Sequence, residues 1–150
     1  MNFSVVAMAV FLLPSCHSTK RASELPEVSG FGAEPIERGE GYVRRAYTRG
    51  SARISVTLAG MPMTDDGWRS WVQNSGSYPR ADVGLPESQA CGFYACNGTG
   101  DAERCDLHLQ LRAGWHVELF GNGTARRADL DALVAGLPLA SWVNTNPHNP

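Results

Sequence analysis

Four cysteines, together with two histidines and a glutamate in one short stretch, are the residues of this 150-residue chain best suited to chemistry. Cys16 sits where an apolar run gives way to a polar chain, in FLLPSCHSTK, while Cys91, Cys96 and Cys105 fall together in the second half. His108, His116 and Glu118 belong to CDLHLQLRAGWHVELF. Imidazole and carboxylate are ligand types that zinc takes, and three protein ligands leave a fourth position open, as catalytic zinc requires. Whether these side chains can meet depends on the elements that carry them.

Leu107, Leu109 and Leu111 alternate with His108, Gln110 and Arg112, and the alternation resumes through Trp115, Val117 and Leu119. This is the period of two strands joined by a turn. A two-residue loop would set Leu111 opposite His116 and mix apolar with polar partners. A three-residue loop with Gly114 left-handed pairs Leu111 with Trp115, Leu109 with Val117 and Leu107 with Leu119, giving one apolar face. The other face then pairs Gln110 with His116 and His108 with Glu118, with the two imidazoles diagonal neighbours. Zinc is the cofactor such a set would take. An antiparallel sheet also commonly keeps a wet, polar side, and His–Glu is an ordinary cross-strand pair. The expectation is therefore a solvated face with no resident cofactor, a zinc-binding protein or zinc-dependent hydrolase being the alternative.

Cys96 and Cys105 flank NGTGDAER, a loop rich in turn residues, and strands on either side would bring them together at the mouth of a hairpin. A Cys96–Cys105 disulfide is expected, leaving Cys91 free as a small apolar residue. A thiol redox protein centred on Cys91 is the further alternative; the spacing is not C-x-x-C.

Residues 3–14 form an apolar run broken only by Ser4, too short to span a membrane but of signal-peptide length. Leu13-Pro14-Ser15-Cys16 resembles the lipobox of bacterial lipoproteins with a type II signal peptide. The resemblance covers residues 1–16 and implies cleavage before Cys16, diacylglycerol on its sulfur and an exported protein anchored to a bacterial membrane, facing the periplasm or the cell exterior. The expected organisation is a signal peptide over 1–15, a lipidated Cys and tether over 16–41, one folded domain over 42–143, and a polar tail over 144–150.

Within the domain, Ala52, Ile54, Val56 and Leu58 alternate with polar residues, and Thr64 with Asp65 and Asp66 opens a helix carrying Trp68, Trp71 and Val72. A second helix presents Leu130, Leu133, Val134 and Leu137 and stops at Gly136 and Pro138. Together these predict an α+β fold, an antiparallel sheet with both helices on its apolar face, the alternative being a half-open β-barrel. Arg44, Arg45, Arg49 and Arg53 crowd one hairpin, where they read as a charged, aggregation-resistant edge. Thirteen Lys plus Arg against fifteen Asp plus Glu give no field that would gather nucleic acid. No phosphate loop, serine elbow or zinc-protease helix motif occurs. The expected function is a non-enzymatic accessory or binding module of the cell envelope, its partners the lipid bilayer and an envelope protein or ligand.

Overall fold

Strands form where the two-residue alternation lets one side of the chain leave water, and the longest of them build the centre of the sheet. In the computed structural model, which describes residues 24–100 and 103–147, these are β3 (Tyr42–Arg49), β4 (Ala52–Gly60), β6 (Ala90–Asn97), β7 (Arg104–Leu111) and β8 (Trp115–Gly123). Three short strands, β1 (Gly32–Ala33), β2 (Glu37–Gly39) and β5 (Arg80–Ala81), finish the edges. The eight strands run β1-β3-β4-β8-β7-β6-β5, with β2 beside β1 along the outer side of β3. Every pairing is antiparallel. The sheet is open: among the described residues the β1/β2 edge and the β5 edge do not pair, so it is not a barrel.

The hairpin register follows the apolar pattern. Leu111 faces Trp115, Leu109 faces Val117 and Leu107 faces Leu119 across the loop Arg112-Ala113-Gly114. Gly114 has φ 101°, a conformation that L side chains rarely adopt, and a Cβ there would meet the Met61 carbonyl at 3.1 Å. At the other end of β7, Cys96 and Cys105 are direct register partners and form a disulfide, with Cα atoms 4.1 Å apart.

Two helices cover the apolar face. In α2 (Arg127–Ala135), Leu130, Leu133 and Val134 are buried against it, and α3 (Leu139–Trp142) adds Leu139 and Trp142. Burial of each such side chain contributes about 1.5–3 kcal/mol. The remaining helix, α1 (Asp65–Ser75), starts where expected, the Thr64 hydroxyl accepting from the Gly67 N–H at 3.0 Å. It lies on the opposite face from α2, not beside it. Its Trp71 indole N–H donates to the Cys91 carbonyl at 3.0 Å, and its Ser75 hydroxyl is 3.2 Å from the Cys91 sulfur, on the side of the sheet that carries Gln110 and His116. The inward stripe of α1 mixes rings with polar atoms and so matches a polar sheet face, whereas the Leu/Val stripe of α2 matches the apolar one.

The boundaries also move. The stretch expected to be a tether folds onto the domain from residue 24 onward, with Leu25 and Val28 buried in the core. Arginines from the β3–β4 hairpin clamp it. Arg45 donates to the Leu25 and Glu34 carbonyls, both at 2.8 Å, and Arg53 forks onto the Glu34 carboxylate at 2.9 Å, holding that carboxyl below its ordinary range. Tyr47 donates to the Pro26 carbonyl at 2.7 Å. Two of the four crowded arginines, Arg45 and Arg53, thus hold a strap, while Arg44 bonds Thr57 and Arg49 pairs with Asp129 of α2; strands of two or three residues show no period that a sequence could reveal. The expected polar tail is likewise packed at its start, the Trp115 indole donating to the Thr145 carbonyl at 2.8 Å. Cys16 and the apolar run before it lie outside the described residues.

Candidate metal centre

The β7–β8 register places His108 opposite Glu118 and His116 opposite Gln110, on the face that α1 partly covers. The side chains converge. Glu118 Oε1 lies 3.3 Å from His108 Nδ1 and 3.3 Å from His116 Nε2. All three candidate ligand atoms fall within 4.8 Å of one another. Ligands about 2.0–2.1 Å from a tetrahedral zinc stand about 3.3–3.4 Å apart, so the two measured separations match edges of that tetrahedron.

Gln110 sets which nitrogen of His116 is available. It is 0% exposed, and its amide nitrogen donates to the Leu111 carbonyl at 3.1 Å and the Trp115 carbonyl at 3.0 Å. Those two acceptors orient the amide and leave Oε1 to accept from His116 Nδ1, 3.1 Å away. The hydrogen of a neutral His116 therefore sits on Nδ1. Its Nε2 lone pair then points at a carboxylate oxygen, an arrangement that only a proton or a metal ion between them makes favourable. An imidazole that ligates a metal commonly gives its other N–H to an oxygen in this way.

Rings hold the imidazoles in place. Phe93 stacks on His108 with centroids 5.2 Å apart, Phe120 meets it edge-on at 6.1 Å, and Trp71 meets His116 edge-on at 5.4 Å. The face is thus half-buried, not the wet surface expected, because α1 crosses it. His108, His116 and Glu118, the three residues singled out from the sequence, are brought together. Sequence reasoning placed Gln110 opposite His116 but assigned it no task; its one signal was an amide set between leucines on a strand. Trp71 gave no signal, since a helix stripe does not say which sheet face it meets.

The chain matches no family model, no curated protein and no solved structure. Its chemistry is therefore read from its own residues. The Cys96 and Cys105 sulfurs are consumed by their bond. Cys91 is free and buried, with Arg80 Nη1 at 2.7 Å and Ser75 Oγ at 3.2 Å from its sulfur. That thiol lies beneath α1, away from any approaching reactant. Beside the centre, α1 and the segment from Met61 to Thr64 border a cleft of about 440 Å³ that reaches Tyr78 and Phe93.

Proposed function

We propose that this is an exported, lipid-anchored envelope protein whose folded domain binds one divalent transition metal, zinc foremost, through His108, His116 and Glu118. The observation that carries the metal reading is the convergence of two imidazole nitrogens on a single carboxylate oxygen, 3.3 Å from each. Nitrogen and oxygen donors, two of whose three separations match a tetrahedral edge, suit zinc better than copper(II), which prefers a tetragonal arrangement. Two neutral imidazoles and one carboxylate leave a divalent ion with a net charge of +1 and an open position for a ligand or a water. Zinc in such a position polarises an oxygen ligand or lowers the pKa of a bound water to about 7. Binding is the function proposed, with the open position as its working part. The anchor rests on the lipobox resemblance at Cys16.

Two measurements test this. Elemental analysis and zinc titration of the purified domain should give near one zinc per chain, lost in the double variant His108→Ala, His116→Ala. A folded wild type that takes up no zinc refutes the metal reading. Labelling with a palmitate analogue should mark the full-length chain and not Cys16→Ala, and equal labelling of both would end the anchor reading.

A further inference from the structure

Among the described residues, the four most exposed large apolar side chains include Tyr78 at 48%, Met61 at 41% and Phe120 at 39%. All three border the metal centre or the cleft beside it. Met61 and Tyr78 line the cleft, and Phe120 stands edge-on to His108. Exposed apolar surface gathered in one place is costly to a domain in water and marks a ligand site more often than chance. The cleft and the centre adjoin through two rings: Trp71 and Phe93 line the cleft and contact His116 and His108, while the three ligands themselves stand behind those rings. Tyr78 continues the row, stacked on Phe93 at 4.8 Å.

The lining also sorts ligands by charge. Among the described residues, no charged side chain lines the cleft; its polar members, Thr64, Ser70, Asn74 and Ser75, are neutral. A phosphate dianion would find no arginine or lysine there to carry its second charge. A metal with its three ligands would offer a net +1, which one carboxylate neutralises. At about 440 Å³ the cleft lies in the lower part of the usual range for small-molecule sites, large enough for a short tail and too small for a polymer.

We propose that the centre and the cleft are one site, and that its ligand is a small organic monoacid with an apolar or aromatic tail. A carboxylate oxygen completes the coordination of the metal, and the tail lies against Trp71, Phe93 and Tyr78. This inference rests on the metal reading. No bond is made or broken; the carboxylate displaces water from the open position.

The test is calorimetric titration of the zinc-loaded protein with 4-phenylbutyrate and with acetate. Phenylbutyrate should bind at least about tenfold more tightly, a difference of about 1.4 kcal/mol. About 55 Å² of buried apolar area suffices for that, less than the area of a phenyl ring. The variant Met61→Ser, Tyr78→Ser alters only exposed positions and should weaken phenylbutyrate binding several-fold while leaving acetate unchanged. Chelation of the zinc should abolish both. Equal affinity for the two acids, phenylbutyrate binding that survives chelation, or no response to the cleft variant each overturns the inference while the metal reading stands. Failure of zinc itself to bind overturns both, and the zinc titration that precedes the acids separates the two cases.

Discussion

Gln110→Leu asks whether the second nitrogen of His116 is held for a purpose. The change keeps the side chain's approximate volume in a fully buried place and removes three hydrogen bonds: two donated to the Leu111 and Trp115 carbonyls and one accepted from His116 Nδ1. Each neutral bond is worth about 0.5–1.5 kcal/mol, so the metal-free domain should lose about 1–3 kcal/mol once added apolar burial is set against them. That is a fraction of the roughly 5–15 kcal/mol of a small domain, and the variant should remain folded. Without its acceptor, His116 is free to change tautomer or rotate. Loss of such a partner typically weakens metal binding about 10–100-fold, or about 1.4–2.7 kcal/mol. The assay is the zinc-dependent rise in stability at a free zinc concentration a hundred times the wild-type dissociation constant. Mass action then gives the wild type about 2.7 kcal/mol and the variant only about 0.4–1.4 kcal/mol. The same zinc increment in a folded Gln110→Leu variant would refute the reasoning.

The Cys96–Cys105 bridge spans nine positions, and on loop-closure entropy it should contribute about 2.5 kcal/mol. Cys96→Ala, Cys105→Ala should therefore melt roughly 10 °C lower, and non-reducing peptide maps should join those two peptides with Cys91 free; an unchanged melting point refutes the stabilisation. At high pH the domain should weaken through two buried tyrosines. Burial pushes Tyr47 up to about 12, against a lowering pull from Arg45, and burial with the Asp131 carboxylate raises Tyr94 to about 12. Between the ordinary phenol value near 10 and about 12, the unfolded chain loses these protons while the folded one keeps them. Stability then falls by up to about 1.4 kcal/mol per pH unit per tyrosine. Urea unfolding at pH 9, 10.5 and 11.5 should show this slope, flattened in Tyr47→Phe, Tyr94→Phe; an equal slope in both proteins overturns the assignment. Lower pH should weaken zinc binding, because protons compete for both imidazole nitrogens, and affinity that does not change from pH 8 to pH 5.5 argues against two histidine ligands.

The hairpin that carries the centre was legible because three constraints agree in it: alternation, turn length and a glycine that takes the left-handed position. The same alternation put the disulfide at the next hairpin mouth, since Cys96 and Cys105 stand in register only if the strands continue to them. What was not legible has a common cause. The placement of α1 depends on which sheet face accepts Trp71 and Ser75, and that is settled by the Cys91 carbonyl and sulfur, far away in sequence. The strap depends on single residues, Leu25 and Val28, buried in the core and held by arginines that read from sequence as surface charge. Periodicity reports on elements several residues long; isolated anchors and long-range side-chain bonds leave no period.

The strap changes what an anchor at Cys16 would mean. A free tether over residues 17–41 would let the domain wander tens of ångströms from a bilayer. With Glu24 paired to Arg38, Leu25 fully buried, and Pro26 and Glu34 bonded to the β3–β4 hairpin, the chain from residue 24 onward is part of the folded domain and not of a tether. The strap also approaches from the face that carries α2, since Val28 packs against Gly136 at the end of that helix. The metal centre is on the other face, beneath Trp71. The strap and the residues His108, His116 and Glu118 therefore lie on opposite faces of the sheet, and a change in one reaches the other only through the core between them.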